Sequence, residues 1–263
     1  MKREFAVLGI VAALAIGLLS GWFIPSPLTE PEDASLISTI KTRGTLNVGT
    51  SADYPPFENF TYPFTGAIEG FDVDVAQLIA DDLGVDLNMM HLDFGNLISA
   101  CSAGTIDMVA AAMTYNEERA AALAASVTYI SVSQVVIVKE SSILTNISSL
   151  DELGLLTIGC QTGTVMQQEL IDVGNITVNA YPSAVVLMTN LINDVVDAAY
   201  VDEPVFTSYN ITENLRVIFS TGSEPLALWT RYGEPGFLYV MNNAILTGYL
   251  DNTMFTLIDK WFG

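Results

Sequence analysis

The chain has 263 residues, is 51% hydrophobic, and carries 9 Lys+Arg against 30 Asp+Glu for a formal net charge of -21. That apolar fraction supports one or two globular units with real cores. The charge argues against nucleic acid as a partner, which would need a basic stripe; it aids solubility and says little about fold.

Lys2 and Arg3 precede an apolar run over residues 5–24 in which Ser20 is the only polar side chain. About 20 such residues span a bilayer, whereas a cleaved secretory signal has a shorter apolar core and a small-residue cleavage site. No such site follows, and no cysteine lies nearby to carry a lipid. Residues 1–25 therefore read as a signal anchor helix, with a cleaved signal peptide as the alternative. Either way the positive end stays inside and the body is exported, tethered to the outer face of the cell membrane or secreted. Residues 26–43, with Pro27 and Pro31, read as an exposed tether. Four N-x-S/T glycosylation sequons, at Asn59, Asn146, Asn175 and Asn210, fit surface loops of an exported protein. Cys101 and Cys160 lie in apolar segments far apart in sequence and read as two buried free thiols; no metal-ligand spacing and no cofactor motif is present.

From residue 44 onward short apolar runs alternate with helical patterns. Residues 45–50 read as a strand, and 72–83 as a helix with Val75, Leu78, Ile79 and Leu83 on one face and Gly84 as its stop. Residues 85–92 form a strand, 94–103 a helix closed by Gly104, and 106–111 a buried strand. A helix follows in which Asn116 is the N-cap and Arg119 sits in the first turn. An arginine there opposes the helix dipole, which favours anions. Its guanidinium fork can take a carboxylate in two parallel hydrogen bonds, although an ordinary solvated arginine fits the segment equally.

A second series begins near residue 133. Residues 134–138 and 155–160 are strands, and Gly163-Thr164 opens a helix reaching about residue 173. A strand at 176–180, a helix at 183–193 and a strand at 197–201 complete it. Such alternation implies parallel sheets covered by helices, and two series imply two lobes.

Ligands of open α/β sheets sit beyond the carboxyl ends of the strands. Tyr54, Thr114, Arg119, the Gly163-Thr164 helix start and Asp202 all fall at such ends. One cation, one anion, a hydroxyl and a set of free N–H groups complement a zwitterion, with Tyr54 and Phe94 as flat apolar walls. Each has a plainer alternative: Tyr54 and Phe94 as core, Asp202 as the cap of the helix at Glu203-Pro204, Thr164 as an ordinary helix-start threonine.

The segments GTLNVGTSADYPPFE (44–58), GFDVDVAQLIADDLG (70–84), DFGNLISACSAGTIDMVAAAMTYNEER (93–119), SLDELGLLTIGCQTGT (149–164), VDAAYVD (196–202) and DKWFG (259–263) together resemble the polar amino-acid family of extracytoplasmic solute-binding proteins that serve ABC transporters. The resemblance implies an α/β, two-lobed periplasmic-binding-protein fold (type II) with two strand crossovers at the hinge. Lobe 1 would be 44–133 plus 222–263, and lobe 2 would be 134–221. It implies a monomer that delivers an amino acid to a membrane permease, with no cofactor. By that likeness Arg119 clamps the ligand carboxylate, Thr114 and the Ala112 carbonyl join Asp202 around the ammonium, and the Gly163, Thr164 and Val165 amides meet the carboxylate from the other lobe. Tyr54 and Phe94 would flank the side chain. Ser51 stands where relatives that bind cationic side chains can carry an acid, which argues against Lys or Arg as ligand. Val165 replaces a usual hydroxyl residue, and Asn116 a usual threonine.

Two other functions remain compatible with this pattern. One is an enzyme resembling the exported cyclohexadienyl dehydratases, although His91 lies away from the strand ends and no nucleophile–base pair stands out. The other is an amino-acid-sensing domain, which would need a separate signalling partner.

Overall fold

The computed structural model describes residues 35–61 and 66–263. The anchor expected over residues 1–25 and the first part of the tether lie outside the described residues. No helix among the described residues is long and apolar enough to cross a membrane.

The first element corrects the tether. α1 (Ser35–Arg43) is a helix whose Leu36 and Ile40, one turn apart on one face, are buried. Arg43 at its end pairs with Asp107, a carboxylate that also accepts the Asn47 N–H at 2.8 Å. The prolines behind the tether reading all lie at or before Pro31, so they do not restrict this helix.

β1 (Thr45–Thr50) leads into a small antiparallel sheet of β2 (Asp53–Tyr54), β3 (Glu58–Phe60) and β4 (Ile68–Glu69). α2 (Phe71–Leu83) buries Val75, Ile79 and Leu83 and ends where Gly84 turns left-handed at φ 69°. β5 (Asp86–His91) pairs parallel with β1. The helix expected over 94–103 is a 3-10 turn, Phe94–Asn96, followed by α3 (Leu97–Ser102). The strand expected over 106–111 contracts to β6 (Met108–Val109), because the chain turns away at Ala112, which is left-handed at φ 45°. α4 (Glu117–Ala122) is capped by Asn116, whose side chain accepts the Arg119 N–H at 2.8 Å. β7 (Ala124–Ala125) and β8 (Ile130–Lys139) follow. Then come β9 (Thr157–Gln161), α5 (Val165–Val173), β10 (Thr177–Tyr181), α6 (Ala184–Ile192), β11 (Ala198–Asp202), α7 (Glu203–Glu213), β12 (Leu215–Leu226), β13 (Trp229–Thr230), α8 (Pro235–Leu250) and α9 (Thr253–Phe262).

These strands build two five-stranded sheets, ordered β5-β1-β6-β13-β7 and β10-β9-β11-β8-β12. Both are mixed, which corrects the parallel expectation: β13 runs antiparallel to β6 and β7, and β8 antiparallel to β11 and β12. The reason is connectivity. The chain leaves the first sheet between β7 and β8 and returns between β12 and β13, and the strand by which it enters each sheet, β8 in the second and β13 in the first, runs against the others. β8 and β12 pair with each other from Leu215↔Lys139 to Leu226↔Ile130, with register irregularities at Val217/Phe219 and Ser220/Ser223.

The second sheet is apolar on both faces. Val136 and Val138 of β8 join one cluster with Leu170 and Tyr200, while Val135 and Ile137 join another with Leu187 and Leu191. Alternation along a strand sends neighbouring residues to opposite faces, so each face is covered by helices. The architecture is thus a two-lobed α/β fold, with the second sheet sandwiched between two apolar clusters. Cys101 and Cys160 are free and buried, as read from the sequence, and burial pushes both thiols up to about 12. The sequons are not all loops: Asn146 and Asn175 are exposed, but Asn59 is half-buried in β3 and Asn210 lies within α7.

Gly70 makes the junction between β4 and α2 possible. Its φ is 147°, and a Cβ there would lie 2.0 Å from the Phe57 carbonyl oxygen. Backbone strain and overpacking each cost about 1–3 kcal/mol. Gly70→Ala is therefore expected to lower stability by about 2–4 kcal/mol in urea or thermal unfolding, and a variant as stable as the parent would refute this packing account.

Candidate functional site

Strand ends of both sheets converge on a narrow, nearly closed void. From the first lobe come Ser51, Tyr54, Phe94, Ala112, Thr114 and Arg119; from the second come Thr164, Val165 and Asp202. Gly163 is absent from this inner lining. It lies at a wider, more open cleft outside, which shares Thr114, Arg119, Thr164 and Val165 with the void and so forms its mouth.

Arg119 is 5% exposed. The Asn116 cap starts its helix so that the side chain turns inward, 5.5 Å from the Phe94 ring centroid. Its guanidinium donates to the Thr114 carbonyl at 2.6 Å and to the Gly163 carbonyl at 3.0 Å. Among the described residues no carboxylate lies within ion-pairing distance of it. Burial lowers its pKa to about 10, so it stays charged at neutral pH.

Asp202 is 2% exposed and stands at the start of α7, yet its side chain makes no capping hydrogen bond. The plain capping alternative is therefore not what the carboxylate does. Oδ2 accepts the Tyr54 hydroxyl at 2.9 Å, while Oδ1 has no partner. The Asp202 N–H in turn donates to the Tyr54 oxygen at 3.1 Å. Burial raises the Asp202 pKa to about 7 against the opposing effects of Tyr54 and Arg119.

Tyr54 thus combines both readings made of it. It lines the void and packs in the core beside Phe57, with ring centroids 6.2 Å apart. Thr164 fulfils its plainer alternative as the N-cap of α5, accepting the Gln167 N–H at 3.3 Å and donating to the Gln161 carbonyl at 2.8 Å. The Gly163 N–H is occupied by the Gln167 side chain at 2.8 Å. Gly163 itself is left-handed at φ 82°, and a Cβ there would come within 3.0 Å of Gly95 Cα in the other lobe.

Further contacts bind the lobes together. Ser51 donates to Asp53 Oδ1 at 2.8 Å and accepts from Gln161 at 3.4 Å. Asp53 Oδ2 accepts the Ala184 N–H at 2.6 Å, placing an anion at the start of α6 as the helix dipole favours. His91 plays a structural part, its Nδ1 accepting the Ala52 N–H at 3.0 Å.

Sequence reasoning missed three lining residues, Glu58, Gln161 and Met166. Glu58 matters most. It is 0% exposed, and its carboxyl lies against that of Asp72. Burial, followed by the charges of Asp72, Asp53 and Asp202, raises its pKa well above the usual carboxylate range. Asp72 accepts the Ala112 N–H at 2.7 Å and the Tyr129 hydroxyl at 2.8 Å, and burial raises its pKa to about 7. The available signal for Glu58 was an acid set between Phe57 and Phe60, where an ionised side chain is costly unless paired.

The chain is 28% identical over 260 residues to the L-cystine-binding protein TcyJ of Escherichia coli (strain K12), covering 97% of this chain and 94% of that protein. Among solved structures, an ancestral arginine-binding protein bound to arginine matches with a TM-score of 0.79 at 32% identity, over 84% of this chain and 99% of that one. The ancestral amino acid-binding protein AncCDT-1, a precursor of cyclohexadienyl dehydratase, matches with a TM-score of 0.80 at 29% identity, over 87% and 100%. Residues 46–263 match the sequence family of bacterial extracellular solute-binding proteins, family 3, and the chain belongs to that family.

Proposed function

We propose that this protein captures a polar amino acid between its two lobes and presents it to an ABC transporter permease. One observation carries the reading: a buried guanidinium without a carboxylate partner and a buried carboxylate with an unpartnered oxygen face the same void. A zwitterion complements both. Arg119 takes the carboxylate in a bidentate pair, and Asp202 with Thr114 and the Ala112 carbonyl takes the ammonium. The Thr164 and Val165 amides face the carboxylate from the second lobe, and Phe94 and Tyr54 flank the side chain. The relatives support the class, being named for binding cystine or arginine.

The lobes in this reading are residues 44–133 with 222–263, and 134–221; the helix over 35–43 packs with the first. Ligand touching both lobes stabilises their approach by a population shift about the crossing strands. Exclusion of water then strengthens both ion pairs. The protein acts as a monomer, held at the outer face of the membrane by residues 5–24. It binds without turnover, and prephenate or arogenate dehydration would overturn that part.

Arg119→Ala is expected to keep the fold and weaken amino-acid binding by about 3–5 kcal/mol, because the ligand carboxylate would be buried half-paired. Calorimetry of the variant beside its melting curve checks this; undiminished affinity would remove Arg119 from the site.

A pH dependence follows from Asp202. Ammonium binding requires its ionised form, so affinity should decline as pH falls through about 7. The Tyr54 hydrogen bond holds that pKa down. Tyr54→Phe should therefore shift the acid limb of the binding profile to higher pH, and an unmoved limb would count against Asp202 as the ammonium acceptor.

A further inference from the structure

α8 (Pro235–Leu250) has 16 residues and not one of them is charged, in a chain with a formal net charge of -21. One face of the helix, with Phe237, Met241, Ala244 and Ile245, is buried in the core. The opposite face carries Tyr239, Leu246 and Leu250 at helical spacing, and these are 37%, 52% and 85% exposed. Phe255 of α9 is 52% exposed and meets Tyr249 edge-on, with ring centroids 5.4 Å apart, so it extends the apolar strip past the end of the helix. A contiguous exposed apolar strip marks a surface that meets a membrane or a partner.

The surroundings of the strip are as unusual as the strip. α1 and α9 pack against α8. Residues 35–43 and 231–263, which supply these helices, hold Lys41, Arg43, Arg231 and Lys260 against only Glu234, Asp251 and Asp259, whereas the whole chain holds 9 Lys+Arg against 30 Asp+Glu. At the edges Arg43 pairs with Asp107, Arg231 with Glu234 and Lys260 with Asp74, which leaves this side close to neutral. The same side receives the preceding chain: the Leu36 N–H donates to Glu234, the residue before α8, at 3.1 Å. Only residues 25–34 separate α1 from the apolar run over 5–24, and a stretch of that length spans at most about 35 Å.

We propose that the exposed face of α8, continued by Phe255, docks on the lipid headgroup surface of the bilayer. The proposal depends on the reading above in which residues 5–24 lie in that bilayer. A membrane containing anionic lipid repels a body of this charge, and the repulsion is smallest where a charge-free strip is bordered by neutralised edges. Tyrosine, leucine and phenylalanine enter the interfacial layer, tyrosine with its hydroxyl kept at the headgroups. The short connection supplies the remaining drive, because it turns docking into an intramolecular event at high effective concentration. α1, α8 and α9 all lie with the first lobe, so docking on this side leaves the second lobe free to swing.

The test uses the full-length chain in vesicles of phosphatidylcholine and phosphatidylglycerol. A polarity-sensitive fluorophore is attached at Leu250→Cys and, in a control chain, at Ile143→Cys, a position 94% exposed on the second lobe. Cys101 and Cys160 are buried and stay unlabelled. The label at 250 is expected to shift to the blue and to be quenched by lipid carrying a nitroxide at its headgroup, while the label at 143 keeps its water-exposed emission. Leu246→Glu added to the first chain should lower the ratio of docked to undocked body about tenfold, the scale of losing one leucine from an apolar contact. Flotation with the vesicles is scored in parallel. Co-floating protein whose label at 250 stays in water, or is quenched no more than the label at 143, would overturn the proposal and leave the tethered reading standing. Energy transfer between copies labelled at 250 that persists in detergent would assign the face to a second copy and overturn it as well. Protein that does not float with the vesicles would overturn both.

Discussion

The Asp72 carboxylate holds the site in place. It sits in the first turn of α2 and accepts the Ala112 N–H at 2.7 Å and the Tyr129 hydroxyl at 2.8 Å. The first bond fixes Ala112 in its left-handed turn, which ends β6 early and directs the chain towards Thr114 and Arg119. The second fastens the crossing segment between the sheets, because Tyr129 lies between β7 and β8. A non-glycine residue in this conformation costs on the order of 1–3 kcal/mol and persists only where its surroundings over-determine it. One carboxylate therefore connects the helix α2, the strained turn that leads to Arg119, and the segment that crosses between the sheets.

Concentrating acids around a cleft has a definite effect on stability. Asp72 and Asp202 have pKa values raised to about 7, above their unfolded values. Such groups weaken the fold progressively as pH rises from the ordinary aspartate range towards about 7, and impose no cost once both states are protonated at low pH. A cationic group bound in the cleft reverses that penalty by favouring the ionised form. The fold tolerates these acids because Tyr54, Tyr129 and the Ala112 N–H each donate to one of them.

Much of this was legible in the sequence, for identifiable reasons. β1, α2 and the second series of strands announced themselves by periodicity, and the Gly84 and Asn116 signals fell where caps were needed. β6 was over-extended because an unbroken apolar run does not reveal a side chain from another element pulling on its end. α1 was hidden by prolines just before it. β12 was missed because its central residues, Ser220 to Glu224, are polar: they cross between lobes rather than line a core. The agreement of Tyr54, Thr114, Arg119 and Asp202 at strand ends located the cleft. Glu58 escaped because Pro-Pro-Phe-Glu reads as a loop, and only packing discloses that this loop folds inward beneath Tyr54.

The pairing of β8 with β12 has a mechanical consequence. Two strands hydrogen-bonded along nearly their whole length behave as one ribbon. A ribbon resists stretching along its axis and sliding of one edge past the other, but bends and twists readily where its register is irregular, as near Ser220 to Ser223. Such a strap favours rotation of the two sheets about it over their parallel separation. A guest between the sheets would thus meet a strap that yields by bending and not by lengthening.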